Sequence, residues 1–158
     1  MLDGYHILTL THRDAPIETL AHAIAPGEDA SFALQNLKSK MGWEELLYLA
    51  TCNRVTYVFY TQGPVNQNIA KQMLSTLRPD LTEILAQKTA TKMRLMHGSD
   101  AVVHLLEVAS SMDSLVVGER EIIRLTVLMV PAGMVRPALV RQLGLGRARE
   151  AGGRLQRR

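Results

Sequence analysis

Apolar and polar positions fall into short blocks along the first two thirds of the chain. Tyr5–Thr11 (YHILTLT) is a β-rich run that predicts a strand. His12-Arg13-Asp14-Ala15-Pro16 follows as a turn, because Pro16 disfavours helix at Ala15. Pro26-Gly27-Glu28-Asp29 predicts a loop leading into a helix whose apolar stripe is Phe32, Leu34, Leu37 and Met41. Glu45–Ala50 and Val55–Tyr60 predict two strands separated by Thr51-Cys52-Asn53-Arg54. After the break at Gln62-Gly63-Pro64, Asn68–Leu77 predicts a helix stopped by Arg78-Pro79-Asp80. Leu81–Gln87 predicts a further short helix and Lys92–Met96 a fourth strand. The order β, α, β, β, α, β is that of an α+β fold, a ferredoxin-like plait (split β-α-β) followed by an amphipathic helix.

That last helix starts at Gly98-Ser99-Asp100. Val102, Leu105, Leu106, Ala109 and Met112 recur at steps of three and four and predict its apolar face. His97, Asp100, His104, Glu107, Ser111 and Ser114 form a polar stripe over about five turns at 3.6 residues per turn. Such a stripe is either a solvated face or a row of His, Ser and acid laid along a polar cleft.

Composition sharpens this picture in two places. Apolar residues make up 47% of the 158 positions, enough for a core. No apolar run reaches the ~18 residues of a membrane-spanning helix, and the N-terminus lacks the basic region of a secretory signal. A single cysteine excludes an internal disulfide and four-cysteine zinc sites. The expectation is a cytoplasmic protein with no membrane association. The net charge of +3 hides an asymmetry. Residues 124–158 hold eight arginines and one acid, Glu150, whereas residues 1–123 hold ten basic and fourteen acidic residues. An arginine-rich segment can bind nucleic acid without specificity, or it can be a divergent extension with no aromatic to stack on bases.

The candidate chemistry centres on the lone thiol. Cysteine often serves as a small buried hydrophobe. Cys52, however, lies at a strand-to-strand corner among polar neighbours, and Arg54 follows two residues on. Positive charge nearby favours the thiolate, the nucleophilic form, and five histidines are available to accept a proton or orient it. Metal binding competes poorly, since His97 and His104 are two helical turns apart rather than one. Gly144-Leu145-Gly146-Arg147-Ala148-Arg149 lacks the third glycine of a dinucleotide fingerprint, and no strand-like run leads into it.

The segment LATCNRVTYVFY resembles the active-site strand pair of the glutamyl-tRNA reductase family. Thr11-His12-Arg13-Asp14-Ala15-Pro16 is similar to that family's N-terminal strand-end motif, and the stretch from Asp100 to Ile122 is similar to its long signature ending in a Gly-Glu pair. The resemblance covers residues 5–123. It implies that Cys52 is the nucleophile that attacks the ester of glutamyl-tRNA and forms a thioester. In the full-length family NADPH then reduces that thioester to glutamate-1-semialdehyde, the first step of tetrapyrrole (5-aminolevulinate) biosynthesis. It implies further that Arg54 reads the glutamate carboxylate, that Thr51 and Asn53 complete the substrate-binding corner, and that His104 affects activity. Ser114, Glu119, Arg120 and Glu121 match further substrate contacts, and no metal is implied.

From Arg124 onward the resemblance stops, and Pro131 and Pro137 would break a long helix. The division expected is a catalytic domain over 1–123 and an arginine-rich divergent tail over 124–158. The family's NADPH-binding and dimerisation domains have no counterpart in that tail. Such a chain is expected to form the Cys52 thioester but not to reduce it. Two alternatives stay open: a stand-alone cysteine aminoacyl-ester hydrolase or thioesterase, and a non-catalytic RNA-binding module.

Overall fold

A computed structural model describes residues 2–27 and 30–109 and the two-residue strand at 127–128. Its described elements run β1 (Tyr5–Thr11), α1 (Ile17–Ala23), α2 (Ala30–Met41), β2 (Glu45–Thr51), β3 (Arg54–Tyr60), α3 (Ile69–Leu77), α4 (Glu83–Ala90), β4 (Arg94–His97), α5 (Gly98–Ala109) and β5 (Val127–Leu128). This is a mixed α/β arrangement in which four strands form an antiparallel sheet in the order β4-β1-β3-β2. The short β5 lies along the outer edge of β2, with Val127 opposite Leu49 and Leu128 opposite Tyr48.

Side chains alternate across a strand, so the register sorts the sheet into two faces. One carries His6, Leu8, Leu10, Val55, Tyr57, Phe59, Leu46 and Tyr48. Helices α1 to α4 cover it and supply Leu20, Ala23, Leu34, Leu37, Met73, Leu74, Leu77 and Ala86 to the same buried core. Trp43 stacks on Phe59 with centroids 4.0 Å apart. Burying a ring of that size contributes about 1.5–3 kcal/mol. Two phenols reach through this core to the last residue of α1 and the segment that follows it. Tyr57 donates to the Ala23 carbonyl at 2.6 Å, and Tyr48 accepts from the Ala25 amide at 3.0 Å. Burial raises the pKa of both, Tyr57's well above the ordinary value, so both hydroxyls keep their protons. From outside, Arg78 Nη1 donates to the carbonyls of Ala21 and Ile24, closing the C-terminal end of α1.

The opposite face carries Ile7, Leu47 and Val58, with Leu49 and Met96 beside them. Ala101 and Leu105 of α5 cover this smaller cluster. Gly98 has φ +55°, a left-handed conformation that suits glycine, and it turns the chain from β4 straight into α5.

Several expectations change. Helix α1 has no counterpart in the sequence reading, since seven residues with two buried positions, Leu20 and Ala23, give too short a period. Phe32 does not belong to the core stripe of α2. It is 72% exposed, while Leu34 and Leu37 are buried. On α5 Ala101, His104 and Leu105 are buried and Leu106 is exposed, so the face turned to the sheet is rotated from the one expected. His97 is not part of the α5 polar stripe. It belongs to β4, its Nδ1 lies 2.8 Å from His6 Nδ1, and it sits beside that residue on the helix-packed face. Met112, Ser111 and Ser114 lie outside the described residues.

Candidate active site

The hairpin between β2 and β3 is as short as a hairpin can usefully be. Thr51 pairs with Arg54, leaving Cys52 and Asn53 as the two turn residues. The Thr51 hydroxyl accepts from the Asn53 amide at 3.3 Å. The Asn53 carbonyl accepts from the His12 amide at 2.9 Å, which ties the turn to the end of β1. Cys52 is exposed at the tip. The reading of Cys52 as a buried filler therefore fails: its place is set by backbone pairing on both sides.

Arg54 lies in a cross-strand row with Thr11 on one side and Thr51 on the other. Neighbours in such a row have Cβ atoms about 4.5–5.5 Å apart. The next row holds Arg94, Thr9, Thr56 and Leu49. Thr9 and Thr56 are fully buried, and their hydroxyl oxygens are 2.8 Å apart. Thr9 donates on to the Val55 carbonyl at 3.3 Å, so Thr56 is the donor within the pair. Away from the apolar cluster, this face of the sheet is thus built from threonine hydroxyls and two guanidinium groups.

The end of β1 repeats the device seen at the end of β2. The Thr11 hydroxyl accepts from the Arg13 amide at 3.3 Å, as Thr51 does from Asn53. Thr11 also donates its proton to Asp14 Oδ2 at 2.6 Å, and its amide donates to the same oxygen at 3.0 Å. Asp14 Oδ1 lies 3.3 Å from Arg94 Nε, which links this loop to β4.

His104 is 7% exposed, on the side of α5 that turns to the sheet. Its Nδ1 lies 3.8 Å from Glu107 Oε2, one turn further along the helix. Side chains at that spacing lie on the same face of the helix, so Glu107 can orient the ring.

Of the residues singled out in the sequence, the structure brings Thr51, Cys52, Asn53 and Arg54 together at one corner. His104 is on the helix that covers the same face of the sheet. Ser114, Glu119, Arg120 and Glu121 lie outside the described residues. Thr9, Thr11, Asp14, Thr56 and Arg94 were not among the candidates. The spacing shared by Thr11-His12-Arg13 and Thr51-Cys52-Asn53 is a signal that could have found Thr11. Arg94 has no local signal, because only the β4–β1 register brings it to Thr9.

No group of three or more His, Cys, Asp or Glu side chains among the described residues could hold a metal ion. No described helix is long and apolar enough to cross a membrane. The described residues also do not fit a nicotinamide dinucleotide. That ligand calls for a parallel strand–turn–helix unit with a glycine turn around its pyrophosphate. Every strand pair here is antiparallel, and a Cβ on Gly98, at the β4–α5 junction, would lie 3.7 Å from a carboxylate oxygen of Asp3.

An exposed thiol at the tip of a two-residue hairpin, two positions from an arginine, marks one end of this antiparallel sheet. Comparison with known proteins gives that description a family. The family model for "Glutamyl-tRNAGlu reductase, N-terminal domain" matches residues 8–125. Glutamyl-tRNA reductase 2 of Anaeromyxobacter dehalogenans is 33% identical over 117 residues, covering 74% of this chain and 24% of that protein. Glutamyl-tRNA reductase of Synechococcus elongatus is 32% identical over 126 residues, covering 74% of this chain and 26% of that one. The solved structure of glutamyl-tRNA reductase from Methanopyrus kandleri matches with a TM-score of 0.64 at 26% identity, over 94% of this chain and 35% of that one. The chain belongs to the glutamyl-tRNA reductase N-terminal domain family. It spans about a quarter of the length of the curated relatives it matches.

Proposed function

We propose that this domain is the acyl-accepting part of a glutamyl-tRNA reductase, an oxidoreductase of tetrapyrrole biosynthesis. The Cys52 thiolate attacks the ester carbonyl carbon of glutamyl-tRNA. The carbon–oxygen bond to the terminal ribose breaks, the departing 3′-oxygen takes a proton, and a Cys52 thioester of glutamate remains. Arg54 holds the γ-carboxylate with its planar fork, a pairing that favours glutamate over glutamine. Thr51 and Asn53 shape the turn around the thiol. His104, paired with Glu107, is assigned the proton delivered to the departing oxygen. Ser114, Glu119, Arg120 and Glu121 are assigned further substrate contacts through their match to the family signature.

The observation that carries this reading is the corner itself. An exposed thiol stands at the tip of a two-residue turn, two positions from an arginine set between Thr11 and Thr51. The strand order β4-β1-β3-β2 with helices between strands supports assigning the fold to the ferredoxin-like plaits. The family match ending at residue 125 supports treating 1–123 as the catalytic unit and 124–158 as a separate arginine-rich segment. In the full-length family a bound NADPH would supply hydride chemistry, which none of the described residues is assigned to hold, in a compartment we take to be the cytoplasm. The residues described here handle only the acyl group. Dimerisation, likewise, is assigned to the full-length enzyme.

The test is intact-mass analysis after mixing the chain with glutamyl-tRNA. The expected result is one glutamyl group on Cys52, labile to hydroxylamine, with no semialdehyde when NADPH is added. Cys52→Ser should lower the acylation rate by on the order of a thousandfold or more. Undiminished turnover by that variant would overturn the nucleophile assignment.

A further inference from the structure

Asp14 holds a second guanidinium at the thiol end of the sheet. Its Oδ2 accepts from the amide and the hydroxyl of Thr11, and its Oδ1 lies 3.3 Å from Arg94 Nε. Arg94 starts opposite Thr9, and its side chain reaches toward the loop that follows Thr11. The first residue of that loop, His12, bonds the Cys52-Asn53 turn through its amide. Only β1 stands between the strand of Arg94 and that of Arg54. Nε accounts for only part of the guanidinium's donor set. Among the described residues Arg94 makes no other bond, and its side chain is 49% exposed. A tie from β4 to the β1 loop needs a single nitrogen, which lysine would supply. Arginine leaves a planar Nη1/Nη2 fork on a held stem, the geometry that matches a phosphate. Charge agrees with this. Arg13, Arg54 and Arg94 bring three positive charges to this end of the sheet, and Asp14 offsets one.

We propose that Arg94 is a binding residue for the RNA part of the substrate, its outward fork taking a backbone phosphate next to the acylated 3′ end. This rests on the functional reading above, in which Cys52 accepts the glutamyl group and Arg54 takes the γ-carboxylate. The acylated nucleotide carries two anions, a carboxylate on glutamate and a phosphate on the ribose, with the ester between them. Strands β3 and β4 stand about 10 Å apart, two spacings of about 4.8 Å. Two guanidinium groups at that separation can take one anion each. A phosphate contact of this kind positions the RNA and reads none of its sequence.

The experiment uses the full chain with Arg94→Gln. Lys40→Gln, on the exposed side of α2 over the opposite face of the sheet, is the control for overall charge. Thermal midpoints establish that both variants fold. Cys52 acylation is followed with three esters: glutamyl-tRNA, 3′-O-glutamyl-adenosine 5′-monophosphate, and 3′-O-glutamyl-adenosine, which lacks a phosphate. Binding of uncharged tRNA is titrated between about 50 and about 200 mM salt. Arg94→Gln should raise KM about tenfold for the two phosphate-bearing esters, the size expected for one bond to a charged group. It should leave kcat and the phosphate-free ester unchanged. The slope of log K against log salt should become shallower by about 0.7–1. Lys40→Gln should alter none of these. An equal loss with the phosphate-free ester, a loss confined to kcat, or an unchanged salt slope would overturn the proposal. So would an equal change of slope in Lys40→Gln. If wild-type Cys52 takes up no glutamyl group from any ester, the functional reading fails instead, and the salt slope for uncharged tRNA alone decides the role of Arg94.

Discussion

The two faces of the sheet are made by the same four strands and follow opposite rules. The face under α1 to α4 is filled with rings and aliphatic side chains, and its polar atoms are phenols that tie down one connecting segment. The face under α5 begins as a small apolar cluster and ends in threonines and arginines. On the first face, volume is what matters, because apolar packing has no direction. On the second, what matters is which hydroxyl donates and which accepts. The strands can serve both because alternate residues never meet.

Substitutions on the two faces should therefore fail in different ways. The largest effect is expected on the helix-packed face. Phe59→Ala should cost about 3–5 kcal/mol in urea unfolding, since the ring is enclosed and stacked between Trp43 and His6. A loss well under that figure would mean that this face is less tightly packed than the contacts imply.

An intermediate effect is expected where hydroxyls are buried on the other face. Thr56→Val removes the donor to Thr9 and should cost about 1–3 kcal/mol. In a double-mutant cycle with Thr9→Val, the second substitution should cost less than it does alone, because no buried hydroxyl is then left facing an apolar partner. Strict additivity would show that the two hydroxyls do not act as a pair.

The smallest effect is the pH response of His6, the polar exception on the helix-packed face. Burial first, and then the nearby His97, lowers its pKa. The unfolded chain, with an ordinary value of about 6.5, then takes up the proton before the folded chain does. Stability should be flat above about pH 6.5 and fall as pH drops through the lowered folded value. Urea midpoints between about pH 7.5 and about pH 5.5 should record this slope, and His6→Gln should flatten it. An unchanged slope would locate the acid response elsewhere.

The strands and the corner were legible in the sequence, whereas the division of the sheet into two faces came only with the strand register. The strands around Cys52 were readable because each has six or seven residues of strong β character, and the turn between them is polar. Cys52, Thr51, Asn53 and Arg54 came out together because a two-residue turn makes neighbours in sequence neighbours in space. Phe32 misled because its spacing fits a stripe, yet the helix turns it to solvent. His97 misled for a related reason. A helical period carried back past Gly98 assigned it to α5, although the glycine ends β4 and starts a new direction. Asp14 and Arg94 are 80 positions apart and meet only through strand pairing, which no local period encodes.

The two-residue turn also limits how this corner can evolve. Thr51 faces Arg54, and the Asn53 carbonyl is held by His12 from a third strand segment. One inserted residue, if absorbed by the pairing, would shift β3 by one position and turn the Arg54 side chain toward the tyrosines and Phe59. If absorbed as a bulge, it would pull the Asn53 carbonyl from His12 and swing the thiol off the end of the sheet. Variation here is therefore confined to side-chain identity at constant length. Homologous corners with an insertion or deletion between the positions of Thr51 and Arg54 should have lost the chemistry, whatever residue they carry at the tip.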